Sequence, residues 1–182
     1  MAGSAQSPPQ PLRILAIDPA LRNTGYAVLT VDPGVRRPVF RALAYGVISN
    51  KPSVRPSGCL VAIHAALDDI ITEYKPEECA VEGVIFVQSY RTAITLGAAR
   101  GAAILAAARN GLSIFEYAPR RVKQAIVGKG SADKQQVAFM IRALLSLTET
   151  PTPDAADALA IGLAHLHARE RPGGLAKDIV PI

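Results

Sequence analysis

The chain of 182 residues contains no tryptophan, and aromatic residues of all kinds make up 5% of it. Its core must therefore be built from Ala, Ile, Leu and Val. Hydrophobic residues reach 49%, enough for one sizeable core without disulfides or a structural metal. Cysteine is scarce: Cys59 and Cys79 are the only two, both in apolar settings and without metal-ligand spacing. They read as buried reduced thiols of a cytoplasmic protein, which excludes a disulfide scaffold. No Cys/His cluster of zinc-site type occurs either. Apolar runs such as residues 102–108 fall far short of the roughly 20 residues that span a bilayer, so no membrane partner is expected. Residues 1–12, MAGSAQSPPQPL, lack an apolar signal-peptide region. They and residues 170–182 are expected to be flexible tails on a single domain, 13–169. Strong net charge is also absent. Twenty Lys and Arg against fifteen Asp and Glu leave +5, a balance that suits an anionic partner without demanding one.

What is present is a change of hydrophobic period along the chain. Arg13 to Asp18 is a short apolar run closed by an acid, which predicts a buried strand with Asp18 at its carboxyl end. Thr24 to Val31 and Val39 to Ile48 follow as strands, the second after turn chemistry at Asp32-Pro33-Gly34, giving an antiparallel meander. Leu60, Ile63, Leu67 and Ile71 then recur at helical spacing, predicting a helix from Ser57 to Lys75 that Pro76 ends. Cys79 to Glu82 is again a strand closed by an acid. Arg91 to Arg109 reads as an Ala/Gly-rich helix and Ser113 to Tyr117 as the last strand. Pro119–Val127, Asp133–Leu147 and Pro153–Arg169 read as helices, the middle one with Val137, Met140, Ile141 and Leu144 as its buried stripe. A meander followed by strand–helix alternation implies an α/β fold, a mixed five-stranded sheet with helices on both faces.

In such sheets, sites collect at the carboxyl ends of adjacent central strands. Asp18 and Glu82 both fall there. Asp154 and Asp157 lie three residues apart on one predicted helix, so their side chains share a face. Thr152 as cap, with Pro153 in the first turn, accounts for Asp154 through the helix dipole. It accounts less well for Asp157, beyond the first turn. Converging carboxylates without basic partners repel one another, and a divalent cation with oxygen ligands relieves this. His165 and His167 on the same helix read as surface or core histidines.

RILAIDPALRNTGYAVL, VEGVIFVQSYRTAITLGAARG, YAPRRVKQAIVGKGSADKQQV and PDAADALAIGLAHLH resemble, in order and spacing, the motifs of RuvC, the bacterial crossover-junction endodeoxyribonuclease family. The likeness covers residues 13–168. It implies a ribonuclease H-like fold, a homodimer and a working partnership with the RuvA–RuvB branch-migration complex. It also implies Mg²⁺-dependent paired nicking, in strands of like polarity, of four-way (Holliday) junction DNA during recombination and repair. Mn²⁺ is expected to substitute, with two ions per site. Carried over residue by residue, Asp18, Glu82, Asp154 and Asp157 match the catalytic, metal-ligating acids. Lys123 and Lys134 match basic positions that face the DNA backbone. From Pro119 to Gln136, Arg120, Arg121, Lys123, Lys129 and Lys134 stand against Asp133 alone, a net of +4, as a phosphate-tracking surface requires.

Two positions depart from the family pattern. The turn after Asp18 reads Asp18-Pro19-Ala20 rather than DPG. If that position needs positive φ, Ala20 costs about 1–2 kcal/mol. The loop after Glu82 carries Ile85-Phe86 where the family has two adjacent aromatics. Phe86 is expected to stack on branch-point bases and Ile85 to act as an apolar wedge, with Tyr90 a further candidate. A ribonuclease H-like RNA-processing nuclease and a non-catalytic junction-binding module are the competing readings. A sugar-kinase-type ATPase is weakened by Ala20 and by a chain too short for two lobes.

Overall fold

The computed structural model describes residues 11–32, 38–83, 89–170, 179, 181 and 182. Five strands, β1 (Arg13–Asp18), β2 (Asn23–Val31), β3 (Phe40–Ser49), β4 (Glu78–Glu82) and β5 (Ser113–Tyr117), form one sheet in the order β3-β2-β1-β4-β5. β1, β2 and β3 pair antiparallel, whereas β4 lies parallel to β1 and β5 parallel to β4. The mixed ribonuclease H-like sheet expected from the sequence is therefore present. Its centre, β1 and β4, is where the chain changes from hairpins to crossovers.

Side-chain alternation divides each strand between two cores. Ile14, Ala16, Ala27, Leu29, Ala80, Phe115 and Tyr117 face one side. They are covered by α5 (Pro153–Arg169), onto which α3 (Pro119–Val127) and α4 (Lys134–Leu144) pack. Leu15, Ile17, Val28, Cys79, Val81 and Ile114 face the other side, covered by α1 (Pro56–Tyr74) and α2 (Tyr90–Arg109). Ala99, Ala103, Ala106 and Ala107 form the buried side of α2. Small side chains there let α1 and α2 approach each other closely, which is how a chain so poor in aromatics still closes this side of its core. Cys59 and Cys79 are buried free thiols, as expected, and burial pushes the Cys79 thiol up to about 12.

Local signals explain most boundaries. α1 opens on Pro56 and closes where Lys75 adopts the left-handed conformation, its N–H bonding to Ile71 O. α3 opens on Pro119 and closes on Gly128, with φ 79°. α4 ends at Leu144 rather than Leu147, because Ser146 takes φ 52° and breaks the helical run. Thr152 stands at the N-cap of α5, but its side chain makes no capping bond. Ala20 is not among the positive-φ residues, so the Asp18-Pro19-Ala20 turn carries no strain from its alanine. Thr24 holds this turn instead, its Oγ1 donating to Ala20 O at 2.6 Å.

Among the described residues, no helix is long and apolar enough to cross a membrane. The expected tails fall mainly outside the described residues. Where the C-terminal end is described it returns to the sheet. Ile179 is buried, Pro181 bridges to Phe115, and Ile182 N–H donates to Ile114 O at 2.9 Å.

Candidate active site

Asp18 shares its strand face with Ile14 and Ala16, and Glu82 shares its face with Ala80, so both carboxylates point to the α5 side of the sheet. Parallel pairing of β1 with β4 places their carboxyl ends side by side, Ile17 opposite Val81. α5 meets this edge with its first turns. The closest approach is at Gly25, the register partner of Asp18 on β2. A Cβ at Gly25 would lie 2.0 Å from the Asp154 carbonyl oxygen. The absent side chain of β2 is what admits the amino end of α5, and with it Asp154 and Asp157, to the strand ends. Gly25 is a site-shaping residue that pattern reading passed over. A glycine inside a strand-like run is its sequence signal.

The electrostatics show that the acids share one field. Burial pushes the Asp18 carboxyl up to about 6, with Asp157 and then Asp154 adding to the shift, while a hydrogen bond with Glu82 opposes it. Burial pushes Glu82 up to about 7, assisted by the charge of Asp18 and by the bond between them. Without a cation, burial and mutual repulsion favour one proton shared by the Asp18–Glu82 pair. Lys134 Nζ donates to Asp157 Oδ2 at 3.1 Å, and this bond and the Asp157 charge raise the lysine's own pKa. Lys134 owes its place to a capping box at the start of α4. Asp133 accepts from Gln136 N–H at 2.8 Å, and Gln136 Oε1 accepts from Asp133 N–H at 3.2 Å.

As they stand, no three His, Cys, Asp or Glu side chains among the described residues are arranged to hold one metal ion. The reason is visible in the pairings. Asp157 is engaged by Lys134, and Asp18 and Glu82 are engaged with each other. The donor set is nonetheless of one kind, carboxylate oxygens under mutual repulsion, which is the set that a hard divalent cation satisfies. A cavity of about 240 Å³ opens beside it, lined by Glu82, Lys123, Lys134 and Asp157 among others.

The remaining candidates divide clearly. Lys123 and Lys134 reach the cavity. Arg120 and Lys129 are exposed, and Arg121 is half-buried beside Tyr117, whose hydroxyl it acts upon. Tyr90 opens α2 and is 84% exposed, so it is not a core residue. Ile85 and Phe86 lie outside the described residues. His165 is fully buried and bonded to Tyr117 and Glu78 rather than to the four acids.

Residues 14–165 match the family described as Crossover junction endodeoxyribonuclease RuvC. The chain belongs to the RuvC family. A RuvC from Akkermansia muciniphila is 58% identical over 159 residues, covering 87% of this chain and 93% of that relative. The solved Thermus thermophilus RuvC superposes with a TM-score of 0.81 at 34% identity, over 94% of this chain and all of that one. The same protein in complex with a Holliday junction substrate gives 0.82 at 33% identity, over 94% and 99% of the two chains. RuvC-family nucleases depend on divalent metal.

The raised carboxyl groups carry a prediction about the metal-free protein. Both folded-state values lie above the ordinary 3.8 and 4.5, at about 6 and about 7. The native state therefore binds more protons than the unfolded chain across this interval. The stability these groups contribute is complete below about pH 4 and is lost as pH rises through 6 and 7. Urea unfolding in EDTA should show a fall of about 2 kcal/mol over that window relative to the Asp18→Asn/Glu82→Gln double variant, after discounting for partial exposure. An identical pH dependence in the two proteins would contradict the coupling.

Proposed function

We propose that this RuvC-family chain resolves four-way DNA junctions by divalent-metal-dependent hydrolysis of two strands of like polarity. The observation that carries the reading is the convergence of Asp18, Glu82, Asp154 and Asp157 at the carboxyl ends of β1 and β4 and the amino end of α5. The Thermus thermophilus relative, solved with a Holliday junction substrate, supports the choice of substrate. The four acids would hold Mg²⁺, or Mn²⁺ in its place, as two ions per site. When bound, such ions supply an activated water and neutralise charge on the leaving oxygen of an in-line phosphodiester displacement.

This chain's own groups do the rest. Glu82 and Asp18 would hold a cation as carboxylates, the proton they otherwise share passing to solvent. Lys134 releases Asp157 and turns to a backbone phosphate of the incoming strand. Lys123, across the same cavity, holds the neighbouring phosphate, and Arg120, Arg121 and Lys129 extend the track along the arm. Ile85, Phe86 and Tyr90 are assigned to the branch-point bases on the family resemblance. Paired nicks require two such sites, which a twofold homodimer provides. The same resemblance supports a RuvA–RuvB partner and work in the cytoplasm on recombination and repair intermediates.

A synthetic junction with each strand labelled in turn tests this reading. Mg²⁺ is expected to elicit symmetric cuts in two opposing strands and leave linear duplex intact. Preference for an RNA–DNA hybrid would favour an RNA-processing nuclease, and tight binding with no cutting in any divalent metal would favour a binding module. The phosphate track makes its own prediction. Log affinity for the junction against log salt should flatten by about 2 in slope when Arg120 and Lys129 are both changed to Ala, the loss of about two phosphate contacts. The weakening should be uniform across junction sequences. An unchanged slope would remove these two residues from the interface.

A further inference from the structure

From Tyr117, the register partner of Glu82 on β5, to Glu78 at the far end of β4 runs a chain of polar groups that the proposed chemistry does not use. His165, on α5, is fully buried. Its Nδ1 meets the Tyr117 hydroxyl at 2.8 Å and its Nε2 meets Glu78 Oε2 at 2.7 Å. Arg169 Nε donates to the same Glu78 oxygen at 3.0 Å, and its guanidinium also pairs with Oε1. Burial pushes the imidazole down to about 4, so the ring is neutral at working pH. The tautomer follows from the partners. Nε2–H donates to the carboxylate, Nδ1 accepts from the tyrosine, and Arg169 balances the Glu78 charge.

The placement of these groups gives them a purpose. Glu78 is the first residue of β4 and Glu82 the last, on the same strand face. α5 runs the other way, with Asp154 and Asp157 at the Glu82 end and His165 and Arg169 at the Glu78 end. Four strand residues span about 13 Å, and the eight helical residues from Asp157 to His165 span about 12 Å. The two elements are thus matched at both ends. Between them Gly162 lets Leu29 and Ala16 pack close against the helix, and Leu159, Leu163 and Leu166 are buried in the same core, apolar contacts that seat α5 on the sheet but make no directed bond to β4. A slip of one residue would rotate α5 by about 100° and break the directed bonds at once.

We propose that the His165–Glu78 contact is a positioning device that sets the register of α5 on β4, and so holds Asp154 and Asp157 opposite Asp18 and Glu82. This rests on the reading of the four acids as divalent-metal ligands. Tyr117 and Arg169 complete it, by satisfying the imidazole on one side and the carboxylate on the other.

Mn²⁺ titrated onto the DNA-free protein, with free ion followed by its paramagnetic resonance signal, tests the proposal apart from catalysis. His165→Leu is expected to weaken Mn²⁺ binding about tenfold, at the lower end of the range for residues that orient metal ligands. The Mg²⁺ midpoint of junction cutting should rise in parallel. His165→Gln, whose amide offers one acceptor and one donor, should recover most of the affinity. Ile63→Ala, in the core on the other face of the sheet, should lower the melting temperature and leave Mn²⁺ affinity unchanged. Where His165→Leu does not fold, the isosteric Glu78→Gln should show the same loss in smaller measure. Unchanged Mn²⁺ affinity in the folded His165 or Glu78 variants, or an equal loss in Ile63→Ala, would overturn the positioning role while leaving the metal site standing. Failure of the wild-type chain to bind Mn²⁺ would instead bring down the metal reading itself.

Discussion

Asp18→Asn and Glu82→Gln are each expected to reduce junction cutting by about 10³-fold or more, the loss of several kcal/mol of charge stabilisation at the reacting phosphate. The same substitutions should make the metal-free protein more stable, and this opposition of signs is what makes the test decisive. Burial and mutual repulsion hold Asp18 and Glu82 at about 6 and about 7, so at pH 8 the native state carries two carboxylates that it would rather protonate. A neutral amide removes that cost. Each variant should gain about 1–2 kcal/mol in EDTA and melt a few degrees higher. Mg²⁺ should raise the melting temperature of the wild type and have little effect on either variant, because a ligand that binds only the native state stabilises it by mass action. Acids retained only for packing would behave differently. Their replacement would lower stability and leave the response to Mg²⁺ intact. Thermal unfolding with and without Mg²⁺, beside the cleavage assay, separates the two.

The strands and helices were legible because each announces its own period and its own ends. The acid that closes the run Arg13–Asp18 and the one that closes Glu78–Glu82 marked both the strand termini and the candidate site. The three-residue spacing of Asp154 and Asp157 put them on one helix face. What pattern reading did not reach are contacts between residues far apart in sequence. Glu78 and His165 are separated by 87 residues, and no local period links a strand's first residue to a helix's last turns. His165 was open between surface and core, and only the packing of β5 against α5 places it in the core with both ring nitrogens bonded. The pairing of Lys134 with Asp157 was equally hidden. Lys134 entered as a DNA-facing base by resemblance, whereas in the folded chain it also closes over an acid of the site. The Asp133–Gln136 capping box, by contrast, is a local signal, written in the sequence as D-K-Q-Q.

Gly25→Ala should prove the most damaging change of a single methyl group near the site. Alanine is ordinarily the better strand residue, by about 0.5–1 kcal/mol over glycine, so only the local geometry makes this substitution unfavourable. The added Cβ would lie 2.0 Å from the Asp154 carbonyl oxygen and 2.7 Å from its carbonyl carbon. These are backbone atoms in the first turn of α5, and they cannot swing aside as the end of a side chain can. Relief requires the helix end to move outward by more than about 1 Å, at an overpacking cost of about 1–3 kcal/mol. Gly25 is the register partner of Asp18, so this movement separates Asp154 and Asp157 from Asp18 along the line on which they must converge. A displacement of that size costs about 10²-fold in a reaction that depends on placement. The basic track on α3 and the loop that follows it is untouched, so junction affinity measured in Ca²⁺ should stay within about twofold of wild type while cutting in Mg²⁺ falls. Cutting at the wild-type rate would mean that α5 can retreat without consequence, and that its amino end does not hold the site's geometry. A parallel loss of affinity and cutting would point to global damage instead, and circular dichroism on the same sample distinguishes that outcome.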